Sequence, residues 1–291
     1  MQLSENEWVL VTGGSGFVGS ALVRRLLGLG HNVRVVSRSP QDAASAASGT
    51  PAGSGRLEWF TADVRDKRSI APAFADARYV FHAAALVNST ASYAEFDRAN
   101  VLATRNVCEL AHDARVERLI HVGTCDVFGI PQPGEIMTEK TPYRAWNEPY
   151  ADTKIHATEI VNGYRGKIVC STIHPGFVYG PGDRAFVPSL IRQLRDGFFP
   201  LWGPREAKVN LIYIDDLVDA LMLAAESDAA RDEDFIILDE GQVGLSGICA
   251  VIARELGLKY RAGHLPYRAM MAVAKATVKL THMGVMPRPI Q

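Results

Sequence analysis

The sequence predicts an α/β fold in which a parallel sheet carries helices on both faces. Three observations point there. Short β-branched runs recur through the first half, helix-length segments separate them, and a glycine-rich turn joins the first run to the first helix. Right-handed crossovers then distribute the helices over the two faces.

The elements follow in order. Trp8–Val11 reads as the first strand, and Ala21–Leu29 as a helix closed by Gly30. Val33–Val36, Arg56–Phe60 and Tyr79–His82 read as strands two to four. Ala94–Ala114 is a long helical stretch, Leu119–Val122 a fifth strand, Tyr150–Tyr164 a helix and Ile168–Ile173 a sixth strand. Asp42–Gly55, rich in Ala, Ser and Gly, reads as a surface loop. After Ile173 the rhythm changes: Pro175, Gly176, Gly180, Pro181 and Gly182 make a turn-rich segment, with shorter elements beyond it.

Composition excludes several classes. The 291 residues are long enough for a buried core, and 47% hydrophobic with 22% charged residues is an ordinary globular balance. A net charge of −1 gives no global attraction to nucleic acid or anionic membrane. Cys108, Cys125, Cys170 and Cys249 are scattered, which argues against a disulfide framework or a metal site and for reduced thiols in the cytoplasm. No apolar run is long enough to span a bilayer, and the polar start Gln2–Glu7 is not a signal peptide. Met270–Met286, interrupted by Lys275, Lys279 and His282, reads as an amphipathic helix over a core or pocket, with peripheral membrane contact as the alternative.

The glycine turn carries the strongest chemical signal. Gly13, Gly16 and Gly19 stand three apart in Thr12-Gly-Gly-Ser-Gly-Phe-Val-Gly19. Glycine lets the backbone turn tightly and approach a pyrophosphate, and the helix that follows aims free N–H groups and its positive end at the phosphates. The spacing is GxxGxxG rather than GxGxxG. The end of the second strand then selects the cofactor. Val35-Val-Ser-Arg38 offers no carboxylate to hold a ribose 2′-hydroxyl, and Arg38 offers donors for a 2′-phosphate, so NADP is expected, with NAD possible. Asp63 follows the third strand, where it either accepts a hydrogen bond from adenine or caps the next helix.

Tyr150 and Lys154 lie at i and i+4 on one helix face. A free tyrosine titrates at about 10, and a nearby ammonium lowers that value. Thr124 closes the fifth strand with a hydroxyl able to hold a carbonyl or alkoxide oxygen. Each alone has a purely structural reading, as a surface pair or a strand-end Thr. Their order relative to the glycine turn argues for an acid–base set.

Together these residues resemble the extended short-chain dehydrogenase/reductase family, the NAD-dependent epimerase/dehydratase superfamily. It includes dihydroflavonol-reductase-like, 3β-hydroxysteroid-dehydrogenase-like and nucleotide-sugar-epimerase-like enzymes. Thr12, Gly13, Gly16, Phe17, Val18 and Gly19 match its phosphate turn, and Asp63-Val64 its adenine site. His82-Ala83-Ala84-Ala85 matches the segment passing the cofactor, Asn100 a helix motif, and Thr124…Val127-Phe-Gly129 the catalytic strand. Pro175-Gly-Phe-Val178-Tyr-Gly-Pro-Gly182 matches the loop after strand six, and Tyr213-Ile-Asp-Asp216 a late strand–helix junction. The resemblance implies a Rossmann doubly wound sheet of about seven strands with a smaller C-terminal substrate domain, commonly in a homodimer. Residues 1–173 are then the dinucleotide-binding domain, and 174–291 are mainly substrate-binding, interleaved with late elements of the core. It also implies that Tyr150, Lys154, Pro175 and Val178 join the cofactor site, and that Val87, Cys125, Phe177 and Tyr179 wall the substrate pocket, with ordinary core packing as the other reading of Val87, Phe177 and Tyr179.

The departures bear on the substrate. Gly123 and Phe128 replace a usual Ser and Tyr, and Thr124 replaces the commoner Ser while keeping the hydroxyl. Epimerases carry Asn at Phe177 and Arg at Val209, groups that contact nucleotide-sugar phosphates; Phe and Val cannot do so. A small, largely apolar carbonyl or alcohol substrate is therefore expected, turned over by hydride transfer. A nucleotide-sugar epimerase or dehydratase and a non-enzymatic NADP sensor are the alternatives. The chain ends at Pro287-Arg-Pro-Ile-Gln291, earlier than many relatives, which implies a smaller pocket or one completed by a partner chain.

Overall fold

The computed structural model describes residues 7–38, 55–87, 91–132, 134–196, 200–202, 208–241, 243–260 and 263–265. The expected loop over 42–54 and the expected helix over 270–286 lie outside these residues.

Seven strands form one parallel sheet: β1 (Trp8–Thr12), β2 (Val33–Ser37), β3 (Leu57–Thr61), β4 (Ala77–His82), β5 (Arg118–Val122), β6 (Val169–Pro175) and, later in the chain, Asp234–Ile237. From one edge the order is Asp234–Ile237, β6, β5, β4, β1, β2, β3. The order reverses between β1 and β4. Connections leave these two strands in opposite directions there, which opens a crevice at their carboxyl ends.

Helix α1 (Phe17–Gly28) follows β1, and α2 (Lys67–Ile70) follows β3 with Asp66 as its N-cap. Between β4 and β5 run α3 (Tyr93–Phe96), a π-helical stretch Asp97–Leu102, and α4 (Ala103–Asp113). Helix α5 (Pro149–Asn162) leads into β6, starting at Glu148, whose carboxylate accepts from the Ala151 N–H. Strand β7 (Phe177–Tyr179), α6 (Phe186–Arg195), β8 (Pro200–Trp202), β9 (Lys208–Val209) and β10 (Leu211–Tyr213) precede α7 (Ile214–Glu226). The seventh strand of the large sheet is then β11 (Asp234–Ile237), followed by β12 (Val243–Gly244), α8 (Leu245–Glu255) and β13 (Gly263–Leu265).

The chain divides into two compact units. One, residues 1–176 and 212–238, holds the large sheet. In it Leu10, Val80, Leu119 and Cys170 meet Val107 and Ala111 of α4 and Val161 of α5 in a buried cluster. The other unit, 177–211 and 239–291, has its own cluster of Leu190, Leu194 and Cys249 with Phe186, Leu245 and Ile252 packed against it.

Three expectations shift. The helix after the glycine turn begins at Phe17 rather than Ala21, because Gly16 already serves as its N-cap. The stretch expected as one helix over 94–114 contains the π segment, whose wider turn carries Asn100 inward, 1% exposed. β11, expected only as one of the late core elements that the resemblance implies, is the short apolar run Phe235-Ile-Ile237 behind Asp234.

Gly19 packs against the glycine turn so closely that a Cβ would lie 2.2 Å from the Gly13 carbonyl oxygen, whereas a Cβ on Gly28 meets nothing within 4 Å. Gly19→Ala is expected to lower stability by about 1–3 kcal/mol, read from the urea midpoint. Gly28→Ala in the same helix should leave the midpoint unchanged or raise it. Equal effects would show that the turn is not tightly packed.

Candidate active site

The glycine turn is shaped by contacts that exclude side chains. Gly13 has φ +71°, and a Cβ there would lie 2.7 Å from the Ala84 backbone nitrogen and Cα. The turn closes with Gly16 N–H donating to the Gly13 carbonyl at 2.9 Å. Among the described residues no side chain caps α1, so its first-turn N–H groups are available to an anion. A cleft of about 360 Å³ opens here, lined by Gly13, Ser15, Gly16, Ser37, Arg38, Asp63, Val64, Ala83–Ala85 and Leu86 among others. A cradle with no room for a Cβ, ending on free helix N–H groups, fits a dinucleotide pyrophosphate. The exposed Arg38 stands beside the Ser15 and Ser37 hydroxyls, which bond each other at 2.7 Å. Asp63 is tied to Arg65 by contacts of 2.6–3.0 Å, and that guanidinium holds its carboxyl below the usual range.

Hydrogen bonds lock the cleft wall to the helices behind it. Thr12 Oγ1 bonds His82 Nδ1 at 2.7 Å and accepts from the Ala84 N–H at 3.4 Å. Asn100 Oδ1 accepts from the Leu86 N–H at 2.8 Å, while its Nδ2 donates to the Leu86 carbonyl at 3.3 Å and to Thr153 Oγ1 at 3.2 Å. The loop after β4 is therefore fixed to α5, the helix that carries Tyr150 and Lys154. Asn100 acts here through its amide, as a clamp on backbone.

At the end of β5 the Thr124 side chain lies near the Tyr150 phenol and acts to lower its pKa. Thr124 Oγ1 also donates to Asp126 Oδ2 at 3.2 Å. Lys154, 2% exposed, donates to the Val122 carbonyl at 2.7 Å and lies 3.2 Å from His121 Nε2. Burial brings its pKa down to about 7. The expectation that Lys154 lowers the tyrosine pKa is corrected: burial, with the Asp126 and Glu148 carboxylates, pushes Tyr150 above its ordinary value. The phenol is thus a neutral donor at neutral pH.

The remaining residues fall as follows. Phe17, Val18 and Gly19 form the first turn of α1, and Val64 borders the cleft while its carbonyl accepts from Asn106 at 3.0 Å. Cys125 Sγ donates to the His174 carbonyl at 3.2 Å, and burial pushes its thiol up to about 12. Val87, 67% exposed, extends from the cleft wall. Pro175 closes β6, while Phe177, Val178 and Tyr179 form β7 and belong to the second unit. Phe177 is 54% exposed, with its ring 5.3 Å from Phe186. Sequence reasoning missed Asp126 and Glu148, the carboxylates acting on Tyr150. Their only signal was proximity in sequence to Thr124 and Tyr150. Among the described residues no helix is long and apolar enough to cross a membrane.

The depressed lysine has a sign that can be checked. Unfolded Lys154 binds its proton up to about 10.5, while the folded group releases it above about 7. Stability therefore rises with pH across that window and loses this contribution as pH falls through it. The stability difference between wild type and Lys154→Met should change with pH in this range, measured by urea unfolding; parallel curves would rule out a depressed lysine.

The sequence model of the NAD dependent epimerase/dehydratase family matches residues 9–237. A ketoreductase of Stigmatella aurantiaca acting on a 4-farnesyl-3-oxo-dihydroquinoline-1-oxide is 31% identical over 269 residues, covering 91% of this chain and 78% of that protein. A 3-beta-hydroxysteroid dehydrogenase of Mycolicibacterium neoaurum is 30% identical, covering 90% and 75%. Among solved structures, a dTDP-glucose 4,6-dehydratase of Streptomyces venezuelae with NAD bound aligns with a TM-score of 0.77 at 25% identity, covering 89% of this chain and 84% of that one. The chain belongs to the NAD-dependent epimerase/dehydratase family of extended short-chain dehydrogenases/reductases, enzymes of NAD(P)-dependent chemistry at CH–OH and C=O groups.

Proposed function

We propose that the chain is an NADP-dependent carbonyl reductase, reversibly an alcohol dehydrogenase, for a small and largely apolar substrate. The observation that carries the reading is the placement of Tyr150 near Thr124, with the buried Lys154 one turn along α5. A nicotinamide dinucleotide bound in the glycine cleft supplies the hydride. The free N–H groups of α1 hold its phosphates, and Ser37 with Arg38 receive the 2′-phosphate. Tyr150 donates its proton to the substrate oxygen, and Thr124 holds that oxygen in line. With its pKa pushed up from an already high value, Tyr150 is protonated at neutral pH, the form a proton donor needs. Lys154 holds the ribose and returns a proton toward the phenol.

Two considerations support an apolar substrate. Val87 and Phe177, each in its own unit, expose apolar side chains, and Phe177 cannot supply the polar contact expected for a sugar nucleotide. The two relatives compared above are named for a farnesylated quinoline and a steroid. The reading includes a cytoplasmic homodimer, with residues 174–291 contributing most of the substrate contacts.

The test is a panel of apolar ketones, steroid ketones and nucleotide sugars, assayed with NADPH and NADH in parallel. The expected result is consumption of NADPH with the apolar ketones. Conversion of a nucleotide sugar without net NADPH loss would favour an epimerase instead. Tyr150→Phe should bind NADPH normally and lose turnover by about 10²–10⁴. Arg38→Ala should weaken NADPH by roughly tenfold or more and leave NADH unchanged.

A further inference from the structure

Five neighbouring strands carry polar side chains at one level of the sheet. Register pairs Thr12 of β1 with His82 of β4, His82 with His121 of β5, His121 with Thr172 of β6, and Thr172 with Asp234 of β11. One pleat below, the same face holds the apolar row Leu10, Val80, Leu119 and Cys170. Thr12, His82, His121 and Thr172 are each 0–1% exposed. Burying polar groups at four such positions is costly unless each finds a partner.

Most do. His82 bonds Thr12 at 2.7 Å and Thr104 at 2.9 Å. Asp234 accepts from Tyr143 at 3.0 Å and from Arg165 at 2.6 Å. His121 Nε2 meets Lys154 Nζ at 3.2 Å. Among the described residues, His121 Nδ1 and Thr172 Oγ1 have no partner, and neither has His174 Nε2, two residues further along β6. The first two atoms belong to register neighbours on adjacent strands.

A lysine ammonium has donors and no lone pair. While Lys154 is charged, His121 Nε2 must accept from it, and the proton of the neutral ring then sits on Nδ1. The ring is kept neutral by burial and by the groups packed around it: Lys154 from α5, His82 from β4 and His174 from β6. We propose that His121 is a relay and positioning residue that exchanges the Lys154 proton with the Thr172–Asp234 end of the row, through a water held by His121 Nδ1 and Thr172 Oγ1. Outward, the Nζ–H bond breaks as Nε2–H forms, and Nδ1–H breaks as a water O–H forms. The reverse refills Lys154 after Tyr150 has lost its proton to product. Asp234, whose side chain is 12% exposed, is where the row meets solvent. The catalytic part of this inference rests on the proposed acid–base role of Tyr150 and Lys154.

The direct test is nitrogen-15 NMR of the histidine rings in the cofactor-free protein across pH. The expected result is a His121 ring with its proton on Nδ1 at low pH that moves to Nε2 as Lys154 deprotonates, a switch absent in Lys154→Met. A ring protonated on Nε2 throughout overturns the proposal. This readout needs neither substrate nor cofactor, so it stands or falls apart from the proposed reaction. Thr172→Val, which removes an unpartnered hydroxyl and should fold well, is expected to lower kcat by about tenfold, less than loss of a direct acid–base group. KM should stay unchanged and the solvent isotope effect should grow, while His121→Gln, whose longer side chain can place an amide oxygen where Nε2 meets Lys154, should retain more activity than the shorter His121→Asn. Wild-type kcat and isotope effect in Thr172→Val would also overturn it.

Discussion

The approach of two backbones at the crevice governs the rest of the site. Gly13 lies against Ala83 and Ala84 with no room for a Cβ on either φ or distance grounds. That closeness lets Thr12 reach both His82 and the Ala84 N–H, and it brings the loop after β4 up to the edge of the cleft. The same loop is gripped at Leu86 by Asn100, and Asn100 bonds α5 at Thr153. A single chain of contacts thus runs from the glycine turn to the helix holding Tyr150 and Lys154. Losing it would leave the cleft and the hydroxyl pair unconnected.

The electrostatics of this end of the sheet are set by burial more than by paired charge. Lys154 sits among histidines that burial keeps neutral, with His82 brought down to about 3 and His174 to about 4. Among the described residues no carboxylate compensates the lysine, and burial brings its pKa down to about 7. Tyr150 is pushed the other way by the same burial and by Asp126 and Glu148. A reluctant cation and a reluctant anion are thus lodged one turn apart. That arrangement suits a site that keeps its phenol protonated and trades protons near neutrality.

Much of this was legible in the sequence, because motif residues act through local backbone. The glycine turn, the strand ends at Ser37 and Thr124 and the one-turn spacing of Tyr150 and Lys154 are short-range features, and six of the seven strands follow from short runs of β-branched or aromatic residues. Three things were not legible. The π turn that aims Asn100 inward depends on packing between helices. β11 returns to the sheet from far along the chain, and its short apolar run does not say which strand it joins. The polar row from Thr12 to Asp234 exists only through strand register, since its members are up to 222 residues apart in sequence. The sign of the Tyr150 shift also depended on two carboxylates that no spacing rule singles out.

The most direct measurement is a crystal structure of the protein grown with NADP. The account predicts the pyrophosphate on the N–H groups opening α1, the 2′-phosphate against Ser37 and Arg38, and the nicotinamide beside the Tyr150–Thr124 pair. A dinucleotide bound away from the Gly13–Ala84 contact, or a nicotinamide out of reach of the two hydroxyls, would contradict it.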